Sequence, residues 1–381
     1  MRVAIVLNSS WNVYNFRLSL ITSLQKKGYH ITVIAPKDAY SEKLITHGCD
    51  FEDVPMDSRG INPVRDIVLI WTLYKAYKKL RPDVVLHYTV KPNIYGTIAA
   101  SMLRIPMINN VCGLGTVFLK SGLVSLIATS LYKIAFHFPN KVFFQNEDDL
   151  ALFIRKKLIR PQITDLIPGS GIDLDKFKPE ETPDNQDTSA KPFTFLVISR
   201  LIYDKGIMEY VEAINILKEK GINARFQLLG AKDPAHKRGI PLEVIDKWIR
   251  EGLIEYLGTA EDVRPVISNS DCVVLPSYRE GLPRTLLEAA SFEKPIITTN
   301  TPGCRHVVKN HLNGYLCEVR DAHDLAEKMY TIYHKSNEER TNMGKAGRLL
   351  VKEKYDEKIV IDRYLHSIEE FKLGNTHPFS S

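Results

Sequence analysis

Short apolar runs alternate with stretches of helical periodicity along the first part of the chain. In Leu18–Lys27 and Asp66–Leu80 the apolar residues recur at the spacing of one helix face. The apolar runs that separate such stretches are Val3–Leu7, His30–Ala35, Val84–His87, Met107–Val111 and Val142–Gln145. This alternation predicts a parallel β-sheet with helices on both of its faces.

A polar connection then interrupts the alternation. Residues 168–192 are rich in Pro, Asp, Ser and Thr, with hardly an apolar residue after Phe177. The alternation resumes with a helical stretch at about Ile207–Lys220 and with the apolar runs Phe193–Ile198, Arg225–Leu229, Tyr256–Leu257, Cys272–Leu275, Pro295–Thr298 and Tyr315–Leu316. We therefore predict two doubly wound α/β domains, 1–167 and 193–356, with the carboxyl ends of both sheets at a shared cleft.

Length and composition agree with this organisation. The 381 residues exceed the usual size of one domain, and 44% hydrophobic and 25% charged residues are typical of soluble globular proteins. The five cysteines are scattered without a C-x-x-C pair, which suggests neither a disulfide framework nor a zinc knuckle. No apolar run is long enough to span a bilayer, and the opening run is too short for a signal peptide. We expect a cytoplasmic protein.

Positive charge is concentrated in the first half of the chain. Residues 1–167 hold 21 of the 51 Lys and Arg residues but only 12 of the 45 Asp and Glu residues, which gives this part a net charge of +9. The rest of the chain carries −3, so the whole chain has a net charge of +6. This asymmetry favours a polyanionic partner, either nucleic acid or an anionic membrane surface, although scattered surface lysines would give the same count.

Two apolar stretches flanked by cations fit a helix that lies on a membrane surface. Residues 64–80 place Arg65, Lys75, Lys78 and Lys79 beside a series of apolar side chains, and residues 121–138 are almost wholly apolar or small. The alternative is that both are packing helices of the first domain.

One segment, Ser277–Glu288, combines a phosphate-binding backbone with two carboxylates. It follows an apolar strand and turns through Gly281 into a helix, with Pro283 expected at the first helical position, so that free backbone amides face a bound anion. Glu280 and Glu288 are eight residues apart, a little over two helical turns, and can hydrogen-bond sugar hydroxyls on either side of a diphosphate. Taken alone, the spacing also occurs by chance in solvated helices.

A second segment, Ser199–Gly206, supplies cations at the end of another strand. Arg200 and Lys205 leave the carboxyl end of the predicted strand Phe193–Ile198 and precede a helix. Lysine and arginine at this place suit the oxygens of a diphosphate, whereas cations at a helix start oppose its dipole when no anion is present.

These segments resemble the donor half of retaining family-4 glycosyltransferases, which have two Rossmann-like domains facing a cleft, the GT-B fold. The resemblance rests on SRLIYDKG, EGLPRTLLEA, PIITTNTPGCRHVV and NGYLC in the second half. In the first half, HYTVKPNIYG, NNVCGLGTVF, FFQNEDDL and PGSGID resemble the branch that builds bacterial capsule, O-antigen and lipid-linked glycans.

The resemblance implies a role for each matching residue. Arg200 and Lys205 would bind the nucleotide diphosphate and stabilise its departure, Glu280 would contact the donor sugar, and Glu288 the ribose. The backbone of Gly281, Leu282 and Pro283 would hold phosphate or sugar oxygens. Transfer would retain the anomeric configuration, without a metal, and the C-terminal segment 357–381 would return to the first domain.

The first domain is expected to bind the acceptor. His87 ends a strand and is a candidate catalytic group, although many relatives carry a histidine where this chain has Val90, and a buried structural histidine is the alternative. The candidate acceptor-binding residues, which packing or turn geometry could also explain, are Arg17, Lys91, Gly113 and Gly115.

The sequence therefore predicts a metal-independent, retaining glycosyltransferase on the inner face of the cell membrane. It would move a hexose or N-acetylhexosamine from a UDP-sugar to a glycan on a polyprenyl diphosphate carrier and would bind no nucleic acid. Asp173 and Asp175 form a D-x-D sequence but have no companion ligands, so no metal cofactor is expected. A nucleotide-sugar epimerase and a basic nucleic-acid-binding protein remain as alternatives.

Overall fold

The computed structural model describes residues 1–57, 62–114, 123–179 and 191–372. The chain divides into two compact units. Unit 1 comprises residues 1–170 with the C-terminal segment from Glu357, and unit 2 comprises Gly171–Asp356.

Unit 1 is a parallel sheet with helices on both faces. Its strands are β1 (Arg2–Val6), β2 (His30–Ala35), β3 (Asp50–Asp53), β4 (Val84–Tyr88), β5 (Met107–Val111), β6 (Lys141–Phe144) and β7 (Thr164–Leu166). Its helices are α1 (Ser10–Lys26), α2 (Ser41–Thr46), α3 (Pro63–Leu80), α4 (Thr97–Met102), α5 (Leu123–Ala135) and α6 (Glu147–Arg155), with a π-helical turn at Pro92–Gly96 and a 3-10 turn at Pro161–Ile163.

Unit 2 repeats the same plan. Its strands are β8 (Phe193–Ile198), β9 (Ala224–Leu229), β10 (Glu255–Tyr256), β11 (Cys272–Leu275), β12 (Ile296–Thr299) and β13 (Gly314–Cys317). Its helices are α7 (Ile207–Glu219), α8 (Leu242–Arg250), α9 (Arg264–Ser268), α10 (Arg284–Ser291), α11 (Cys304–Val307), α12 (Ala322–His334) and α13 (Asn337–Lys354), with a 3-10 turn at Tyr203–Lys205. The last helix of the chain, α14 (Glu357–Lys372), belongs to unit 1.

Both sheets have the strand order of a dinucleotide-binding fold. The order is β3-β2-β1-β4-β5-β6-β7 in unit 1 and β10-β9-β8-β11-β12-β13 in unit 2, and every ladder is parallel. The order reverses direction between β1 and β4 and between β8 and β11. Ligands of open α/β sheets bind at the carboxyl ends of the strands beside such a reversal.

Each sheet is buried on both faces by apolar side chains. In unit 1, Val360, Tyr364 and Ile368 of α14 pack into the same core as residues of β1, β2 and α1. The segment 168–192, which the sequence predicted to be a polar connection, is not wholly exposed. Its residues Ile172 and Phe177 are buried in the core of unit 2. Residues 180–190 of that connection lie outside the described residues.

Candidate donor-binding site

Two loops flank the strand reversal of unit 2. The first, Ser199–Gly206, leaves β8 and leads into α7, and the second, Pro276–Pro283, leaves β11 and leads into α10. Since β8 and β11 are adjacent and parallel, both loops emerge at the same edge of the sheet. The two segments that the sequence singled out therefore lie side by side at the place where this fold binds ligands.

Backbone contact holds these loops together. Tyr278 donates its backbone N–H to Asp204 O at 2.9 Å. Gly206 has φ +70, and a Cβ at this position would lie 2.0 Å from Pro276 O. Only glycine combines the left-handed conformation with so close an approach. A third loop joins the pair at Gly303, where a Cβ would lie 2.6 Å from Glu280 O.

The structure brings Lys205 and Glu280 into direct contact across the two loops. The Lys205 ammonium donates a short hydrogen bond to the Glu280 carboxylate, and both side chains are largely buried, at 21% and 15% exposed. Arg200 is exposed and forms no ion pair within the described part of the chain. Two cations and a carboxylate thus lie on the paired loops, as binding of an anion linked to a sugar requires.

A hydrogen bond that the sequence did not indicate links the second loop to α7. The Tyr278 hydroxyl donates to Glu209 Oε1 at 2.6 Å, and Glu209 lies in the first turn of α7. Burial, with a further contribution from Glu209, raises the pKa of Tyr278, so the phenol stays protonated. No spacing along the chain relates these two residues, because the contact arises from the pairing of β8 with β11.

Glu288 lies on α10 and is 9% exposed. Its Oε1 accepts from Arg284 Nε at 3.0 Å, one helical turn earlier. Burial raises the pKa of Glu288, while Arg284 and Lys176 act to lower it. Arg284 is not among the residues predicted for the site, although its i, i+4 spacing from Glu288 predicts this pair.

Pro283 was expected at the first position of helix α10 but is the residue immediately before that helix. It is the residue before the helix, with φ −73 and ψ 113, and α10 begins at Arg284. The Pro283 carbonyl accepts from the Leu286 N–H at 3.1 Å. Gly281 is buried and Leu282 is partly buried at the turn. The turn therefore has the predicted strand–loop–helix order with the helix shifted by one residue.

His87 is a buried structural residue, and the expectation that it faces a ligand is wrong for this structure. The ring is fully buried, its Nδ1 donates to Asn109 Oδ1 at 3.0 Å, and its Nε2 accepts from the Tyr77 hydroxyl at 2.9 Å. Burial lowers the pKa of His87 to about 4. Gly96 lies directly against the ring, where a Cβ would be 2.6 Å from Nε2. No ring nitrogen is left for a substrate.

Arg17 is also placed differently from the expectation. It lies inside α1 rather than on a loop and is 5% exposed. Its guanidinium stacks on the Tyr88 ring, with 4.5 Å between Cζ and the ring centroid, and donates to Phe16 O at 3.1 Å. These contacts enclose Arg17 in the core of unit 1 and keep it from a phosphate of the acceptor.

Lys91 lies at the carboxyl edge of the sheet of unit 1 and is paired with the carboxylate of Asp66. Its Nζ donates to Asp66 Oδ1 at 2.8 Å, and the Tyr95 hydroxyl donates to Asp66 Oδ2 at 2.8 Å. Gly113 follows β5 with φ +121, which favours glycine at that place. Gly115, the remaining acceptor-binding candidate, lies outside the described residues.

The D-x-D sequence forms a turn. Asp173 Oδ1 accepts from the backbone N–H groups of Asp175 and Lys176 at 3.0 and 2.9 Å. Elsewhere in the described ranges, no group of three or more His, Cys, Asp or Glu side chains has the arrangement of a metal site.

Helix α3 exposes an apolar stripe. Val64, Ile67, Val68 and Trp71 are each more than half exposed and recur at the spacing of one helix face. Lys75 and Lys78 continue the same face, while Lys79 forms an ion pair with Glu52 at 2.8 Å. Among the residues that the structure describes, no helix is both long and apolar enough to cross a bilayer.

Comparisons with known proteins show the family and agree with the fold. Residues 179–350 match the family model "Glycosyl transferases group 1", and residues 2–146 match "Glycosyl transferase 4-like". The chain is 30% identical over 378 residues to the N,N'-diacetylbacillosaminyl-diphospho-undecaprenol alpha-1,3-N-acetylgalactosaminyltransferase of Campylobacter jejuni, covering 96% of this chain and 97% of that protein. It is 26% identical to the capsular polysaccharide biosynthesis glycosyltransferase CapM of Staphylococcus aureus, with 81% of each chain covered.

The fold is shared with solved glycosyltransferases. Anabaena HepE in complex with UDP-glucose superposes with a TM-score of 0.79 at 18% identity, covering 97% of this chain and 100% of that one. The glycosyltransferase of Rickettsia africae gives a TM-score of 0.78 and covers 98% and 99%.

Two Rossmann-like units of this order define the GT-B class of transferases. The chain belongs to the group 1, family-4-like glycosyltransferases and is a glycosyltransferase. These matches support neither the epimerase nor the nucleic-acid-binding alternative.

Proposed function

We propose that this enzyme moves a hexose or N-acetylhexosamine from a UDP-sugar to a glycan on a polyprenyl diphosphate carrier during assembly of a bacterial surface or glycoprotein glycan. The observation that carries the proposal is the contact between Lys205 and Glu280 at the strand reversal of unit 2, beside the exposed Arg200. The Campylobacter relative is named for an undecaprenyl-diphosphate-linked acceptor, and HepE was solved with UDP-glucose. Both support this choice of substrates.

The paired loops supply what departure of a diphosphate needs. Negative charge grows on the leaving diphosphate in the transition state, so cations fixed in advance lower the barrier. Lys205 and Arg200 provide those charges, and Glu280 is close enough to Lys205 to hydrogen-bond a sugar attached to the same diphosphate. Glu288 would contact the ribose. Transfer is proposed to retain the anomeric configuration, with the departing phosphate taking the acceptor's proton on the same face.

We expect slow donor hydrolysis to identify the sugar and to be insensitive to chelation. Incubating the enzyme with a panel of UDP-sugars should release UDP from one of them, and EDTA should change that rate less than twofold, because Arg200 and Lys205 neutralise the diphosphate directly. Release of UDP is measured by chromatography. Release from none of the sugars, alone or with a prenyl-linked acceptor, would refute the UDP-sugar assignment, and loss of activity on chelation would require a metal.

The apolar stripe of α3 is proposed to hold the enzyme at the inner face of the cell membrane. Exposed apolar residues followed by lysines favour binding at the interface of an anionic bilayer. The acceptor's prenyl chain lies in that bilayer, so peripheral binding brings enzyme and acceptor together.

Replacing Lys75, Lys78 and Lys79 together by glutamine should weaken binding to anionic liposomes at low salt by about tenfold or more, since each cation near the surface contributes about 1 kcal/mol. Liposome sedimentation measures the effect. The matched control replaces three exposed lysines of α13, Lys345, Lys352 and Lys354, and should bind nearly as the wild type does. Equal weakening in both variants would mean that net charge alone, and not α3, sets the affinity.

A further inference from the structure

A cavity of about 520 Å³ opens at the carboxyl edge of the sheet of unit 1. Its volume lies in the range of small-molecule sites, about 300–1,000 Å³. Pro36 follows β2, Pro55 follows β3, and α3 covers the remaining side. The lining residues are Pro36, Pro55, Met56, Asp57, Val64, Arg65, Val68, Leu69 and Lys91.

The charged residues of the cavity wall are paired within the protein. Lys91 contacts Asp66 at 2.8 Å, and Arg65 Nη1 lies 3.9 Å from Asp57 Oδ2. Together these two cations and their two carboxylate partners carry no net charge. The remaining six lining side chains are apolar, so the cavity favours a hydrocarbon ligand.

The cavity is continuous with the exposed stripe of α3. Val64 and Val68 line the cavity and belong to the stripe that also contains Ile67 and Trp71. Apolar surface therefore extends from the outside of α3 into the cavity through Val64 and Val68. A hydrocarbon chain that begins in a membrane interface can enter along this surface.

We propose that this cavity binds the isoprene units of the acceptor nearest its diphosphate. The inference rests on the proposed function, because it takes the prenyl carrier as the acceptor. Recognition of the hydrocarbon chain in this cavity would distinguish a prenyl diphosphate from the free diphosphate and from ordinary membrane phospholipids. The donor loops of unit 2, Ser199–Gly206 and Pro276–Pro283, cannot make this distinction.

The test uses photo-crosslinking of a benzophenone-tagged geranylgeranyl diphosphate to the full-length enzyme. Unlabelled geranylgeranyl diphosphate should compete, whereas inorganic diphosphate and monomeric short-chain phosphatidylglycerol should not. Competition by inorganic diphosphate would show headgroup binding, and competition by the phospholipid would show general acyl-chain binding. Either result would overturn the proposal.

Two tryptophan variants test whether the prenyl diphosphate probe binds in this cavity. Val68→Trp fills the mouth of the cavity and should weaken prenyl diphosphate binding at least about tenfold, the lower end of the effect of one misplaced methylene group in an apolar pocket. Ile67→Trp is the matched control, because Ile67 and Val68 are both 57% exposed on α3 and Ile67 does not line the cavity. Unfolding midpoints close to that of the wild type check that both variants are folded. Equal binding by both variants would refute the assignment.

Transfer assays separate this inference from the proposed function. Sugar transfer by the wild type to a prenyl-linked acceptor, with no effect of Val68→Trp on either probe binding or the Michaelis constant for that acceptor, would overturn the cavity assignment alone. Absence of transfer to every prenyl-linked acceptor would overturn the proposed function, and the cavity assignment with it.

Discussion

Lys205→Ala will lower turnover by about 10²–10³-fold, the usual cost of removing a group that stabilises transition-state charge. Lys205 lies on the loop after β8 and contacts Glu280, so it is already fixed where the leaving diphosphate is proposed to develop charge. Steady-state kinetics with saturating donor measure the effect. Glu280→Gln should also depress turnover, because the amide cannot replace the carboxylate as partner of both Lys205 and the sugar hydroxyls.

The control for Lys205→Ala is another paired lysine of the same unit. Lys328 contacts Asp324 at 2.9 Å on α12 and is 29% exposed, close to the exposure of Lys205. Lys328→Ala should retain wild-type turnover, and circular dichroism should show that both variants are folded at the assay temperature. Wild-type turnover in Lys205→Ala, or an equal loss in Lys328→Ala, would refute the assigned role of Lys205.

Gly206→Ala will destabilise the protein by about 2–5 kcal/mol and will reduce activity as well. The left-handed conformation costs a residue with a Cβ about 1–2 kcal/mol, and overpacking adds about 1–3 kcal/mol. Here the new Cβ would lie 2.0 Å from Pro276 O, so the loops that carry Lys205 and Glu280 must separate. Denaturant titration measures the free energy of unfolding, and UDP release measures the effect on the site.

Gly221→Ala isolates the conformational part of that effect. Gly221 has φ +75, close to the value at Gly206, but a Cβ there would meet nothing within 4 Å. Its substitution should cost only about 1–2 kcal/mol and leave the kinetics unchanged. Equal destabilisation by the two substitutions would show that contact between the donor loops contributes nothing to stability.

Contacts within and around the donor loops would hold the proposed site in place before a ligand binds. Lys205 and Glu280 fix each other, while the Tyr278–Glu209 hydrogen bond and the close contacts at Gly206 and Gly303 fix the backbone. Side chains held in place lose little conformational freedom on binding. This arrangement suits a reaction in which fixed charges, rather than covalent chemistry, stabilise the transition state.

Buried strands were predicted accurately, whereas the two edge strands of unit 1 were missed. The predicted runs His30–Ala35, Met107–Val111, Phe193–Ile198 and Cys272–Leu275 coincide with β2, β5, β8 and β11. These strands have neighbours on both sides and read as continuous apolar runs. The missed strands β3 and β7 form the two edges of the sheet of unit 1, contain acidic residues, and are at most partly buried. Edge strands need no continuous apolar pattern, so local sequence did not reveal them.

The sequence by itself determined the fold class, the doubled α/β plan and the two donor segments, because these depend on apolar periodicity and on residues close together along the chain. Only the tertiary structure decided which cations and imidazoles are available. His87 and Arg17 resemble site residues in the sequence, yet both are buried, where they contact Tyr77 and Tyr88 respectively. Burial and pairing arise from contacts between distant segments, and spacing along the chain carries no information about them.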